Sequence, residues 1–330
     1  MKAVVISRSG GPEVLEVRGV PDPVPGAHEV LVKVMATALN RADLLQREGK
    51  YPAPPGVPSD IPGMEFAGAV AALGSGASRW TIGQRVFGIV GGGAQAQFLV
   101  THEDTLAEVP ANLDWAHAAA VPEVFITAHD AMWTQAGLQP NENVLIHSVG
   151  SGVGLAAVQL ARAKGAVPFG TSRTPEKLQQ ARGFGLEAGI AIENDLAPLK
   201  TFAAEHTGNR GFDVALDLVG GKYVGGTIPA MALKGRIMLI GTVAGAVAEM
   251  NLGLVLGKRL RLMGTTLRAR PLEEKIAVNR AFEAEVLPLL AAGSLKPVID
   301  QTFDLEEVRA AHQRLESNAS FGKVVLFVPH

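Results

Sequence analysis

Apolar positions follow two different rhythms along the chain. In the first third, MKAVVI, VLEVRGV and EVLVKVMATAL carry β-branched residues in partial alternation, which predicts strands. Gly83–Ile89 and Ala96–Val100 continue that pattern, and proline and glycine punctuate it at PDPVPG (21–26) and YPAPPGVP (51–58). From about residue 125 short apolar runs alternate with helical spacing. NVLIHS (143–148) leads to a helix near 152–164, VPFGTS (167–172) to one near 174–184, AGIAI (188–192) to one near 196–207, and FDVALDLV (212–219) to one near 222–232. GRIMLIGT (235–242) and KRLRLMGTTL (258–267) read as the fifth and sixth strands. An amphipathic stretch at 271–290 and a last strand in FGKVVLFVPH follow. Short apolar strands alternating with helices predict an α/β fold with a doubly wound parallel sheet, buried on both faces. The expected arrangement is a β-rich domain interrupted by a nucleotide-binding domain, with the final strand returning to the first domain.

The turn HSVGSGVG (147–154) opens the first of these β-α units. It misses the G-x-G-x-x-G fingerprint, because Leu155 stands where the third glycine belongs. Shifted by two, it reads Ser148-x-x-Ser151-x-x-Gly154, with a small residue at each key position. The following helix offers free N–H groups and the positive end of its dipole. Its place between strand and helix identifies Ser151, Gly152, Val153 and Gly154 as a candidate dinucleotide cradle. Ser151 reads either as a polar contact near the nicotinamide and pyrophosphate or as a minimal substitute for glycine.

Cofactor choice should show at the tip of the second strand, where an NAD site carries an acid for the ribose 2′-OH. Here the tip is Thr171-Ser172-Arg173-Thr174, with Lys177 one turn later. Ser172, Arg173 and Lys177 suit a 2′-phosphate dianion, hence NADPH. The alternative for the two cations is ordinary solvated charge at a helix start, beside Glu176.

Composition narrows the classes. The 330 residues, 47% of them hydrophobic, suffice for two domains. Thirty basic and 32 acidic residues leave a net charge of −2, which argues against nucleic acid or an acidic membrane as partner. Cysteine is absent, so disulfides, thiolate nucleophiles and cysteine metal ligands are excluded together. The N-terminus does not read as a signal peptide, and no apolar run reaches a membrane span. These features predict a cytoplasmic protein.

The stretches ALNRADLLQREGKYPAPPG (38–56), PGMEFAGAV (62–70), HSVGSGVGLAAVQLA (147–161) and FGKVVL (321–326) resemble the quinone oxidoreductase branch of the medium-chain dehydrogenase/reductase superfamily. The resemblance covers nearly the whole chain. It implies a GroES-like catalytic domain split over 1–124 and 267–330, a Rossmann domain over 125–266, NADPH as cofactor, and a homodimer joined through the Rossmann edge strand near 259–266. It also implies cofactor contacts from Leu218, Gly241, Thr242, Thr265, Leu267 and Asn318. Ile192 departs from relatives that carry tyrosine beside the 2′-phosphate, which leaves Arg173 and Lys177 to recognise it.

Zinc-dependent relatives carry G-H-E-x-x-G, with the histidine on the metal. This chain reads Gly63-Met64-Glu65-Phe66-Ala67-Gly68, and thioether is a poor zinc ligand. Glu65 is therefore expected to be structural, paired with a buried arginine. Without a metal, the protein must position an acceptor against the nicotinamide and stabilise charge growing on its oxygen. Tyr51, one of two tyrosines, lies in the proline-stiffened GKYPAPPG loop. It reads either as a hydrogen-bond donor to that oxygen or as a loop anchor, and the resemblance implies the former. Asn40 carries over from the same motif as a polar contact. Tyr223 reads as packing. The expectation is a zinc-independent NADPH:quinone reductase. The alternatives are an NADPH-dependent enoyl or enone reductase and an NADPH-binding structural or regulatory protein.

Overall fold

All four residues of the Asn143–Ile146 strand are buried, as a central parallel strand demands. The structure, a computed structural model, describes all 330 residues, and they form two units: Met1–Ile126 with Leu267–His330, and Thr127–Thr266. In the second unit six strands form one sheet, ordered Ala188–Ala191, Val167–Ser172, Asn143–Ile146, Phe212–Asp217, Met231–Leu239 and Arg261–Gly264. Every neighbouring pair is parallel. The chain winds outward in both directions from Asn143–Ile146. The carboxyl ends of the strands therefore share one edge, with the reversal point beside the first strand. Phe169, Phe202 and Phe212 pack their rings together on one face.

Two expected elements differ. The helix read over 222–232 covers only Lys222–Thr227, passes into a short tight turn at Ile228–Ala230, and gives way to a strand at Met231. Pro229 cannot donate to a continuing helical ladder, and Gly225 and Gly226 weaken it beforehand. The strand read over 258–267 is confined to Arg261–Gly264, preceded by a Leu252–Lys258 helix that apolar spacing did not reveal. The Asn251 side chain caps that helix by accepting from the Leu254 N–H at 3.0 Å, and Arg259, at φ 53°, ends it.

The other unit is built on antiparallel pairing. The Glu29–Ala38 strand alternates buried and half-buried positions and pairs with Glu65–Leu73, Phe98–His102 and the returning Lys323–Phe327. Val32, Val34, Phe66, Leu106, Val324 and Leu326 form part of its core. An Arg41–Arg47 helix follows the first of these strands, its start fixed by the Asp43 carboxylate accepting from the Asn40 N–H at 2.7 Å. The amphipathic 271–290 stretch forms two helices, Leu272–Glu285 and Leu287–Ala291, divided at Val286 just before Pro288.

Candidate functional site

The turn after Asn143–Ile146 has the local geometry of a dinucleotide cradle. Ser148 takes a left-handed conformation, φ 54°, where glycine is usual. Ser151 caps the Gly152–Ala163 helix, its hydroxyl oxygen accepting from the Gly154 N–H at 3.1 Å. A Cβ on Gly154 would lie 2.6 Å from the Ser148 carbonyl oxygen and 2.7 Å from that of Val149. Gly154 therefore fills the close-packing role of the third fingerprint glycine. The Ser151 oxygen is used by the cap, while its O–H remains able to donate.

Around this turn the parallel sheet gathers the expected contacts of its own unit. Ser172, Leu218, Gly241 with Thr242, and Thr265 each stand at or just past a strand carboxyl end. Gly241 lies so close to Leu218 that an added Cβ would meet the Leu218 carbonyl oxygen at 2.6 Å. At the second strand tip the Ser172 hydroxyl accepts from the Thr174 N–H at 3.3 Å; Arg173 is exposed and Lys177 half-buried. Glu176 and Glu193 are also exposed, but no acid occupies the tip itself.

Beneath the turn, His147 is fully buried. Its Nδ1 lies 2.9 Å from the Thr171 hydroxyl and its Nε2 2.7 Å from that of Thr227. The Thr227 hydroxyl donates to the Tyr223 carbonyl oxygen at 2.7 Å, so it accepts from His147 Nε2–H, and Thr171 donates to Nδ1. Burial pushes its pKa down, which favours the neutral imidazole that this bond pattern describes. The Tyr223 ring packs edge-on against it, 5.1 Å between centroids.

The unit containing Tyr51 and Asn40 holds a second polar region, of charged groups. Glu65 is fully buried; one carboxylate oxygen accepts from the Lys323 ammonium at 2.6 Å and from the Asn40 amide at 2.8 Å. Its other oxygen accepts from the Glu123 backbone N–H at 2.9 Å. Lys323 also donates to the Leu39 carbonyl and the Asn40 side-chain oxygen, both at 2.7 Å. The partner of Glu65 is thus a lysine and not the expected arginine. A strand-borne ammonium reaches both Glu65 and the start of the Arg41–Arg47 helix. Asp43, fully buried, accepts from the Asn40 and Gly63 N–H groups, and burial raises it to about 6. Arg268 donates to the Gly91 and Tyr51 carbonyl oxygens and to Gln46, and its guanidinium lies 4.9 Å from the Tyr51 ring centroid. Burial pushes the Tyr51 hydroxyl pKa up. Glu123 is raised to about 8, first by burial and then by the Glu65 charge.

Asn318 and Leu267 belong to this unit as well. Asn318, at φ 58°, accepts from the Arg41 guanidinium at 2.7 Å. Sequence reading singled out Asn40, Tyr51 and Glu65 but missed Lys323, Arg268 and Glu123. The quoted FGKVVL segment contains Lys323, and a lysine inside an apolar strand was the available signal. The donors around Glu65 do not suit zinc. Met64 offers only a thioether, the Glu65 oxygens already hold an ammonium and two N–H groups, and no three His, Asp or Glu side chains are arranged to hold a metal ion.

Known proteins match over the full length. Residues 26–111 match the alcohol dehydrogenase GroES-like domain, and residues 186–326 match the zinc-binding dehydrogenase domain. A quinone oxidoreductase of Lama guanicoe is 32% identical, over 99% of this chain and 98% of its own. Another, from Pseudomonas aeruginosa, is 33% identical over 98% and 99%. Among solved structures, a mycobacterial protein complexed with NADPH superposes with a TM-score of 0.89 at 26% identity, covering 99% of this chain and 100% of its own. An NAD-dependent alcohol dehydrogenase gives 0.86 at 32% over 100% of both chains, and the JamJ enoyl reductase 0.87 at 26% over 99% of both.

Proposed function

The chain belongs to the medium-chain dehydrogenase/reductase family of oxidoreductases, and from that premise we propose that it is an NADPH-dependent quinone reductase working without a metal. The basic tip of the second strand carries the cofactor choice. Ser172, Arg173 and Lys177 stand where a 2′-phosphate needs donors, and no acid occupies the strand tip itself. A bound reduced nicotinamide supplies the hydride. The chain's own residues bind and orient. Ser151, Gly152, Val153 and Gly154 offer helix N-terminal donors to the pyrophosphate. Leu218, Gly241, Thr242, Thr265 and Leu267 line the dinucleotide, and Asn318 reaches its adenosine phosphate. Tyr51 hydrogen-bonds the acceptor oxygen, and Asn40, fixed by its bonds to Glu65 and Lys323, serves as a polar contact. The quinone oxidoreductase relatives support a quinone as acceptor.

Zinc independence rests on the ammonium that occupies the Glu65 carboxylate and on the absence of cysteine. An enoyl or enone reductase is the second reading, favoured by the JamJ likeness. A cytoplasmic homodimer completes the proposal. The outermost strand, Arg261–Gly264, is paired on one side only, and Leu262 is 48% exposed with Leu256 at 79% and Val247 at 86%. An apolar unpaired edge is stabilised by a second copy. No helix is long and apolar enough to cross a membrane. Steady-state rates with NADPH and NADH, against an ortho-quinone and a 2-enoyl thioester, test the reading. Binding of NADPH without turnover of either acceptor overturns it in favour of a structural protein.

A further inference from the structure

Reduction of a quinone or an enone consumes a proton as well as a hydride, and the reading above leaves the proton without a source. We propose that Glu123 is the proton donor of the reaction, its carboxyl group giving the proton to the reduced acceptor that Tyr51 orients; this rests on the reductase reading.

The argument begins with hydrogen bonds. Glu65 receives three donors and Asp43 two, as carboxylates should. The Glu123 side chain receives none at Oε2, although that atom is sealed from solvent. A buried carboxylate oxygen without a donor is costly, whereas a neutral carboxyl group is far less so. Charge leads to the same assignment. The groups acting on Glu123 are Glu65, Asp43, Lys323 and Arg268, and the Tyr51 hydroxyl in turn responds to Glu123. The two carboxylates balance the two cations. An ionised Glu123 would leave one negative charge uncompensated among buried groups, so this is the carboxyl that keeps its proton.

The step balances simply. The two electrons arrive as hydride from a reduced nicotinamide dinucleotide. An O–H bond forms on the reduced quinone, or a C–H bond on the enolate, as the Glu123 O–H bond breaks. The electron pair of that bond stays on the Glu123 carboxylate, which then takes a proton from water.

Glu123→Gln tests this by activity and by spectroscopy. In cofactor-free protein at neutral pH, infrared spectra should contain a protonated-carboxyl band that vanishes in Glu123→Gln. The variant should keep its NADPH affinity, read by fluorescence, and its KM for quinone, while kcat falls about a hundredfold. A donor works while protonated, so wild-type kcat should decline as pH rises through about 8. That limb should be missing in Glu123→Gln and restored in part by Glu123→Asp. An active wild type with an equally active Glu123→Gln, an unchanged alkaline limb in that variant, or no such infrared band overturns the inference alone. A wild type that reduces neither quinone nor enone overturns the reductase reading, and this inference with it.

Discussion

The two polar regions of the molecule are assembled in opposite ways. The nucleotide turn is local: Ser148, Ser151 and Gly154 set one another's geometry within a single strand–turn–helix. The charge cluster is not. Asn40, Glu65, Glu123, Arg268 and Lys323 come from widely separated segments and meet only because the antiparallel sheet closes around them. The first offers backbone donors and depends on small residues at a few fixed positions. The second depends on the number and sign of its charges, so removal of one member strands another.

The largest effect should therefore come from the cluster. Lys323→Met leaves the Glu65 charge buried without its cation and should destabilise the unit by about 3–5 kcal/mol. Denaturant unfolding measures this, and Glu65→Gln in the same chain should recover part of the loss. A shift below ~1 kcal/mol would mean that the pair is dispensable. Next, Arg173→Ala should weaken NADPH binding by about 1.5–3 kcal/mol and leave NADH nearly unaffected. Calorimetry with both cofactors decides, and equal losses would remove the 2′-phosphate role. Gly154→Ala forces a methyl group onto two backbone carbonyls and should cost about 1–3 kcal/mol in stability, with dinucleotide affinity falling in parallel. An unchanged melting temperature would show that the turn has room to spare. Tyr51→Phe should change kcat/KM least, about two- to tenfold, as one neutral hydrogen bond is lost.

Buried histidines and the buried Glu123 carboxyl respond to pH in opposite directions. His147 and His312 are buried with lowered pKa values, His312 to about 3 from an ordinary 6.5. Their contribution to stability is complete above the unfolded value and is lost as pH falls below it, because the unfolded chain takes up the protons. Glu123, raised to about 8 from 4.5, acts in reverse: its contribution is complete below 4.5 and is lost as pH rises through about 8. Unfolding curves should thus fall away on both sides, and Glu123→Gln should flatten only the alkaline side.

Much of the dinucleotide unit was readable in the sequence, because most strands and helices there announce themselves within a few residues. The Gly152–Ala163 helix and the Val167–Ser172 strand lie where apolar spacing places them. Leu252–Lys258 was missed because its start depends on one Asn251 cap and its exposed apolar face carries no helical stripe. The cluster was half readable. Met64 and the absent cysteines argue against a familiar zinc site, and Glu65 was recognised as an anion needing a cation.

Which cation, and which carboxyl would keep its proton, was decided elsewhere. By itself the chain determined its alternating architecture, the small residues of the turn and the basic strand tip, since these follow from local sterics and residue type. Only the tertiary structure joined Lys323 to Glu65, set Arg268 over Tyr51 and left Glu123 Oε2 without a donor. Those outcomes depend on burial and on distances between remote segments, and burial determines whether a charge survives.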